Sequence, residues 1–459
     1  MHQTYTLREK IRLFLKLLWP ILITQVSYNA MTVVDTMMTG RAGTAQQAGV
    51  AVGFNLWMPI SIGLGGIILA ISPIIGQLLG SGEREKISQA VTQGLYVSLL
   101  ISVVLITAGV FFLDPVLGLI DIDDPEVYHV AKHYLIAIGF GIIPYFASQV
   151  LRYFFDAQGY TGITMKIILL IGLPLNVVLN YLLIFGKLGL PRLGGIGAGA
   201  ATAVTYWVIL FVSILLAARL EVFRSYQLFR RWYRPSLTAW WEQIRIGVPI
   251  GLSIFFEASI FSLMTLLVAS MFDTVTLAAH QVAMSFSSLM FMMPLSISMT
   301  LTIVVAYEVG SRRYDDARQY SVLGVLGALG IMSIGAMLLF FFREPIAYIY
   351  NNDRRVIELA AQFFLFAMIY QLSDASQASL QGILRGYKDV TVPFITALIA
   401  YWLIGIPSGY WLAQSTGLGP YGFWIGITIG LTCAAIGFFI RLRLVQRRVK
   451  QVQIAHAEV

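Results

Sequence analysis

Charge is scarce in this 459-residue sequence: Asp, Glu, Lys and Arg make up 12% of it, about half the share of an ordinary soluble domain. Cysteine is scarcer still. The single one, Cys433, permits no disulfide within the chain. P-loop, H-E-x-x-H and G-x-S-x-G patterns are absent, so the sequence offers no motif for harnessing ATP or for hydrolytic catalysis. What is abundant is apolar: 58% of residues are hydrophobic, more than a soluble interior can hold. At roughly 20 mostly apolar residues per membrane helix, the chain affords about ten to thirteen spans. The net charge of +8 does not argue for nucleic acid, because no soluble face remains to carry a basic patch.

Apolar runs predict twelve helices, over residues 13–38, 49–79, 91–113, 131–154, 163–186, 196–218, 246–271, 278–307, 319–342, 357–380, 391–414 and 420–441. The basic N-terminus leads into a run too long for a signal-peptide core and is read as the first span, retained. Prolines inside several spans predict kinked rather than broken helices. Of the 31 Lys and Arg, all but Arg41, Lys132, Lys187, Arg192, Arg343, Arg354 and Arg355 fall on one side of such a topology, with Arg152 counted in a loop on that side. Positive loops stay cytoplasmic, which places both termini in the cytoplasm and the acidic loop of Asp121, Asp123, Asp124 and Glu126 outside.

The longest polar connection lies near the middle of the chain and suggests two halves. Setting Pro20 against Pro249 brings GSGEREK (80–86) opposite GSRRYDD (310–316), and QGYTG (158–162) opposite RGYKD (385–389), at offsets of 229, 230 and 227. The expected organisation is an N-terminal lobe (1–218), a cytoplasmic basic linker (219–245), a C-terminal lobe (246–441) and a cytoplasmic basic tail (442–459). Six spans per half put both halves in the membrane the same way up, a parallel repeat found among transporters.

Three acidic residues, Asp35, Glu257 and Asp374, fall in the middle thirds of spans one, seven and ten, and no Lys or Arg is expected as deep. Each costs about 2.5–3.5 kcal/mol at a helix centre, so protons, metal cations or cationic substrates must neutralise them. Helical spacing puts Tyr28, Thr32 and Asp35 on one face, Tyr370, Asp374 and Gln377 on another, and Asn176 and Asn180 one turn apart. Carboxylate, amide and hydroxyl oxygens suit hard cations such as Na⁺.

Other patterns carry less. Gly195, Gly197 and Ala200 fit a dinucleotide fingerprint but follow no strand, so they read as helix packing, as do Gly422, Gly426 and Gly430. His129 and His133 lie one turn apart without an evident third ligand. The Asp121–Asp124 loop reads as solvated acid. The Met-rich stretch 284–294 suits lipid contact or an adaptable drug surface.

VVDTMMTG (33–40), the span leading to GSGEREK, LPLNVVLNYLLIFG (173–186), GGIGAGAATA (194–203) and RGYKDV (385–390) together resemble the multidrug and toxic compound extrusion family, NorM-type bacterial branch, over essentially the whole chain. The resemblance implies an all-α polytopic protein of twelve transmembrane helices, arranged as two six-helix lobes around a central cleft. It implies a multi-pass protein of the bacterial cytoplasmic membrane, monomeric and without a cofactor, that exports cationic amphiphilic small molecules in exchange for Na⁺ or H⁺. The N-lobe cation site would be Asp35, Asn176, Asn180 and Thr202, and the C-lobe site Glu257, Tyr370 and Asp374. Na⁺ is an expected occupant of either. Asn180 stands where the family often has a second acid. The alternatives are a flippase for lipid-linked precursors, which calls for basic residues deep in the membrane, and a major-facilitator transporter, to whose loop signature GSGEREK is a poor match.

Overall fold

The first half of a computed structural model of the chain, which describes residues 1–457, runs α1 (Leu7–Ala42), α2 (Thr44–Leu69), α3 (Ile71–Gly80), α4 (Arg84–Gly118), α5 (Pro125–Gly139), α6 (Ile142–Ala157), α7 (Thr161–Lys166), α8 (Leu173–Phe185), α9 (Gly195–Arg219) and the short α10 (Glu221–Arg224). The second half runs α11 (Leu237–Met271), α12 (Thr274–Gly310), α13 (Tyr314–Tyr350), α14 (Arg354–Gly386), α15 (Thr391–Leu398), α16 (Ile406–Ser415) and α17 (Tyr421–Ala457). π-helical stretches, Ile167–Gly172 and Ile399–Gly405, join α7 to α8 and α15 to α16. No strand occurs among the described residues.

Eleven of these helical stretches are long and apolar enough to cross a membrane, and α5 with α6 makes a twelfth. The chain is therefore a multi-pass membrane protein. Helices such as α4 and α13 expose Val103, Val110, Phe111, Ile334, Met337 and Phe341, the expected apolar face toward lipid. Prolines enter the helices in two ways. Pro20, Pro59, Pro249 and Pro294 lie inside continuous helices. Pro174 and Pro407 each follow a π-helical stretch by two residues, whose extra residue per turn accommodates the missing N–H. Span four departs from the expectation of kinks alone: α5 and α6 are separate helices bent by 49° across Phe140 and Gly141.

Contacts divide the chain into two units, an N-lobe of Met1 and Trp19–Gly251 and a C-lobe of His2–Leu18 and Leu252–Val459. The division cuts α1 beside Pro20 and α11 beside Pro249. It leaves the central polar connection inside the N-lobe, where Phe223 and Tyr226 pack on Phe154 at 5.2 and 5.6 Å between ring centroids. Gln93 holds the same segment by donating to Arg234 O and accepting from Ser236 N and Trp240 Nε1. In the C-lobe the N-terminal residues are tied down by Lys10 against Asp316 (2.7 Å) and by Thr4 on Tyr320 (2.8 Å).

The backbone also corrects the repeat alignment. Sequence matching set Gly159 against Gly386, but the left-handed residues of the two turns are Gly159 (φ 88°) and Lys388 (φ 59°). The closing bonds agree, Tyr160 N to Phe155 O and Asp389 N to Leu384 O, both 3.0 Å. The offset there is 229, as at Pro20 and Pro249, because turn geometry rather than the shared Gly-Tyr pair sets the register.

Small residues let the helices approach. Gly197 abuts the backbone of Leu183, and Gly199 that of Tyr134, so the fingerprint-like glycines pack helices. In the C-lobe a Cβ on Gly426 would lie 2.3 Å from Gly409 Cα, and one on Gly382 would lie 2.3 Å from Ser298 O. Gly426→Val is expected to destabilise the protein by about 1–3 kcal/mol through overpacking, whereas Gly327→Ala, with open space around its Cα, is expected to be near neutral. Thermal unfolding of the purified variants in detergent compares the two.

Candidate functional site

In the N-lobe, α1 presents Asp35 to α8 and α9. Asn180 Nδ2 donates to Asp35 Oδ1 at 2.5 Å and to Asn176 Oδ1 at 3.1 Å, and Thr202 Oγ1 donates to Asp35 Oδ2 at 3.3 Å. The four residues named from the sequence therefore form one cluster. Asn176 and Asn180 lie one turn apart on α8, which begins directly after the π-helical stretch Ile167–Gly172. Both Asn side chains are buried, and Asn180 Oδ1 and Asn176 Nδ2 have no partner. An unsatisfied buried polar atom costs about 1–3 kcal/mol, and the bare carbonyl oxygen beside a carboxylate is a hard donor that a small cation would satisfy.

The C-lobe cluster joins α11, α14 and the second π-helical stretch. Tyr370 donates to Asp374 Oδ2 at 3.3 Å. Gln377 Nε2 donates to Asp374 Oδ1 at 3.0 Å and to Glu257 Oε1 at 2.9 Å, so one amide links both carboxylates. Gln377 in turn accepts from Tyr401 at 2.9 Å. The rotation of α14 is fixed by packing on α12, with Ser298 donating to Ala378 O and Thr302 to Gly382 O. Helical spacing identified the Tyr370, Asp374 and Gln377 face. Tyr401 was missed because its contact spans 24 residues and passes through a π-helical turn whose period differs from 3.6.

Two sequence expectations need correction. Tyr28 and Thr32 do not join Asp35: the Tyr28 hydroxyl accepts a long bond from Gln149 (3.5 Å), and the Thr32 hydroxyl turns back to Tyr28 O. Arg152 is not a loop residue either. It lies in α6, five residues from the helix end and almost fully buried, and its guanidinium is 5.5 Å from the Tyr28 ring centroid. Arg152 Nε is 3.6 Å from Asp156 Oδ2, and Asp156 also accepts from Thr164 at 2.8 Å. A cation therefore does lie deep in the N-lobe, neutralised by its own acid. Glu308, also buried, faces Arg313 at 3.6 Å. The hydrogen-bond partners of Asp35, Glu257 and Asp374, by contrast, are amides, hydroxyls and a phenol, none of which carries a positive charge.

The His129 and His133 rings lie against each other, and no group of three His, Cys, Asp or Glu suited to a metal occurs among the described residues. Asp124 caps α5 by accepting from Glu126 N at 2.8 Å.

Comparison with known proteins adds independent findings. The MatE family model matches residues 20–182 and again 249–411, the same repeat offset as the paired prolines. A relative from Oceanobacillus iheyensis named "Probable multidrug resistance protein NorM" is 49% identical over 98% of this chain and 100% of its own length. One of the same name from Bacillus subtilis is 45% identical over 99% and 100%. Among solved structures, a MATE protein in the bent conformation superposes with a TM-score of 0.88 at 18% identity, covering 96% of this chain and 97% of that one. An outward-facing multidrug resistance MATE transporter gives 0.86 at 20%, covering 98% and 100%. These structures share the two-lobe helical fold.

Leaving a buried charge alone is more costly than removing the whole pair. Arg152→Met is accordingly expected to destabilise the protein by about 3–5 kcal/mol, and the double variant Arg152→Met, Asp156→Leu to regain most of that loss. Denaturant unfolding of the three proteins in one detergent provides the measurement.

Proposed function

Because the chain belongs to the multidrug and toxic compound extrusion family, we propose that it is a secondary multidrug efflux antiporter, exporting cationic amphiphilic molecules against inward Na⁺ or H⁺ by alternating access. The observation that carries this reading is the set of carboxylates whose hydrogen-bond donors are all neutral, one in the N-lobe and two in the C-lobe. A carboxylate held by neutral donors retains its charge demand, and an incoming proton, Na⁺ or organic cation meets the same demand. Occupancy by one excludes the others. Competition at a shared carboxylate couples the two fluxes when the cations favour different lobe arrangements.

In this reading Asp35, Asn176, Asn180 and Thr202 hold the N-lobe cation, and Glu257, Tyr370 and Asp374 the C-lobe cation. The ring of oxygen donors suits Na⁺, and each carboxylate alone suits a proton. The excess of Lys and Arg on one side of the topology puts both termini in the cytoplasm of a bacterial plasma membrane, so that inward cation movement runs down the membrane potential. One charge crossing inward releases about 2.3 kcal/mol per 100 mV, and no ATP motif is needed. The protein acts as a monomer in this scheme.

The test is efflux of a fluorescent organic cation from proteoliposomes holding the full-length protein, with Na⁺ and H⁺ gradients imposed separately. Asp35→Asn, Glu257→Gln and Asp374→Asn are each expected to lower gradient-driven exchange at least tenfold. Full activity in all three would sink the reading.

A further inference from the structure

We infer that Gln377, oriented by Tyr401, is the positioning residue of the C-lobe cation site, holding Glu257 and Asp374 as a preformed pair before any cation arrives. The inference rests on the antiport reading and adds residues that reading does not require.

A primary amide has two N–H donors and one carbonyl. In Gln377 both donors go to carboxylates, one each to Glu257 Oε1 and Asp374 Oδ1, and the carbonyl accepts from Tyr401. Every part of the group is used, and its side chain is fully buried. The shared donor keeps the two carboxylates no farther apart than its two bonds allow. Glu257 Oε2 is left for a cation, and beside it Asp374 Oδ2 accepts from the Tyr370 hydroxyl. Without the amide, the two carboxyl groups would lose the one donor they share, and nothing would offset the repulsion between them when both are ionised.

Tyr401 decides which way the amide faces. A flipped Gln377 would set its carbonyl against both carboxylates and would lose the phenol's proton. The π-helical stretch Ile399–Gly405 delivers this hydroxyl and grips the other carboxylate-bearing helix as well: the neighbouring Trp402 donates Nε1 to Phe256 O at 3.3 Å, the carbonyl just before Glu257. One irregular turn thus ties α11 and α14 to a common reference, and π-helical turns are frequent at functional sites. The titratable or charged groups around Gln377 are Glu257 from α11, Asp374 and Tyr370 from α14, and Tyr401 itself. Arg385, eight residues further along α14, donates to Ser298 Oγ, and its charge acts on Glu257 from a distance without a hydrogen bond to it.

The experiment is the proteoliposome exchange assay, run as a titration of the coupling cation against a fluorescent organic cation. Gln377→Met keeps the volume but removes both donors, and it is expected to raise the half-saturating cation concentration about tenfold while the rate at saturation stays within twofold. Tyr401→Phe is expected to raise it about threefold. Because Tyr401 acts through Gln377, adding Tyr401→Phe to Gln377→Met is expected to change nothing further. A structural role alone would lower the amount of folded protein without moving half-saturation. Unchanged half-saturation in folded Gln377→Met, or effects that multiply in the double variant, would overturn the inference. If Gln377→Met does not fold, Tyr401→Phe decides alone, and a wild-type titration overturns it. Asp35→Asn, Glu257→Gln and Asp374→Asn run alongside keep the two ideas separate: exchange retained in all three defeats the antiport reading, whereas exchange lost in Glu257→Gln and Asp374→Asn with normal titrations in Gln377→Met and Tyr401→Phe defeats only the role of Gln377.

Discussion

A carboxylate in a helix surrounded by lipid and apolar side chains must find either a partner charge or a supply of hydrogen-bond donors, and this protein separates the two solutions by residue. Asp156 and Glu308 each face a guanidinium at 3.6 Å. Asp35, Glu257 and Asp374 take only neutral hydrogen-bond donors, and in the proposed function a mobile cation meets their charge. Much of the local architecture serves the second group. The two π-helical stretches, the small-residue contacts of α12 with α14, and the amides of Asn180 and Gln377 all hold a donor where a countercharge would otherwise stand. An isolated ionised group would otherwise shift its protonation or leave the interior.

The internal repeat keeps the order of the helices and the form of their turns but is unequal in chemistry. At the offset of 229, Glu257 corresponds to Tyr28, Asp374 to Tyr145, Gln377 to Ser148 and Asp35 to Met264. Where the C-lobe has two open carboxylates, the N-lobe has aromatic hydroxyls with the Arg152 guanidinium over Tyr28, a cation that cannot leave. Where the N-lobe has Asp35, the C-lobe has a thioether. Each lobe therefore has one acidic cluster hydrogen-bonded only to neutral donors, and the two clusters are not symmetry mates. Duplication conserved the helices and their turns, while the charges drifted to different positions along them.

How much of the site was readable depended on the distance over which each contact is made. Tyr370, Asp374 and Gln377 lie within two helical turns, so spacing placed them on one face. Asn176 and Asn180 were readable for the same reason, and the Asp35 to Thr202 contact only by resemblance to a family. Spacing failed at Tyr28, which points to Arg152 although it shares a helical face with Asp35, because a long side chain follows whichever polar partner lies nearest. It failed again at Arg152. Counting charges in loops assumes that an arginine near a span end is outside, and a buried Asp156 one turn away removes the reason for it to be there.

The sequence by itself determined that the chain spans a membrane about twelve times, that it is built from two like halves, and that three acids lie where charge is costly. Each of these follows from local composition, since hydrophobic length and the price of an isolated charge need no knowledge of neighbours. Only the tertiary structure decided which acids are already neutralised, which amide links Glu257 to Asp374, and which register the two halves share. Those outcomes depend on groups tens to hundreds of residues apart, and on π-helical turns whose phase no 3.6-residue pattern reports.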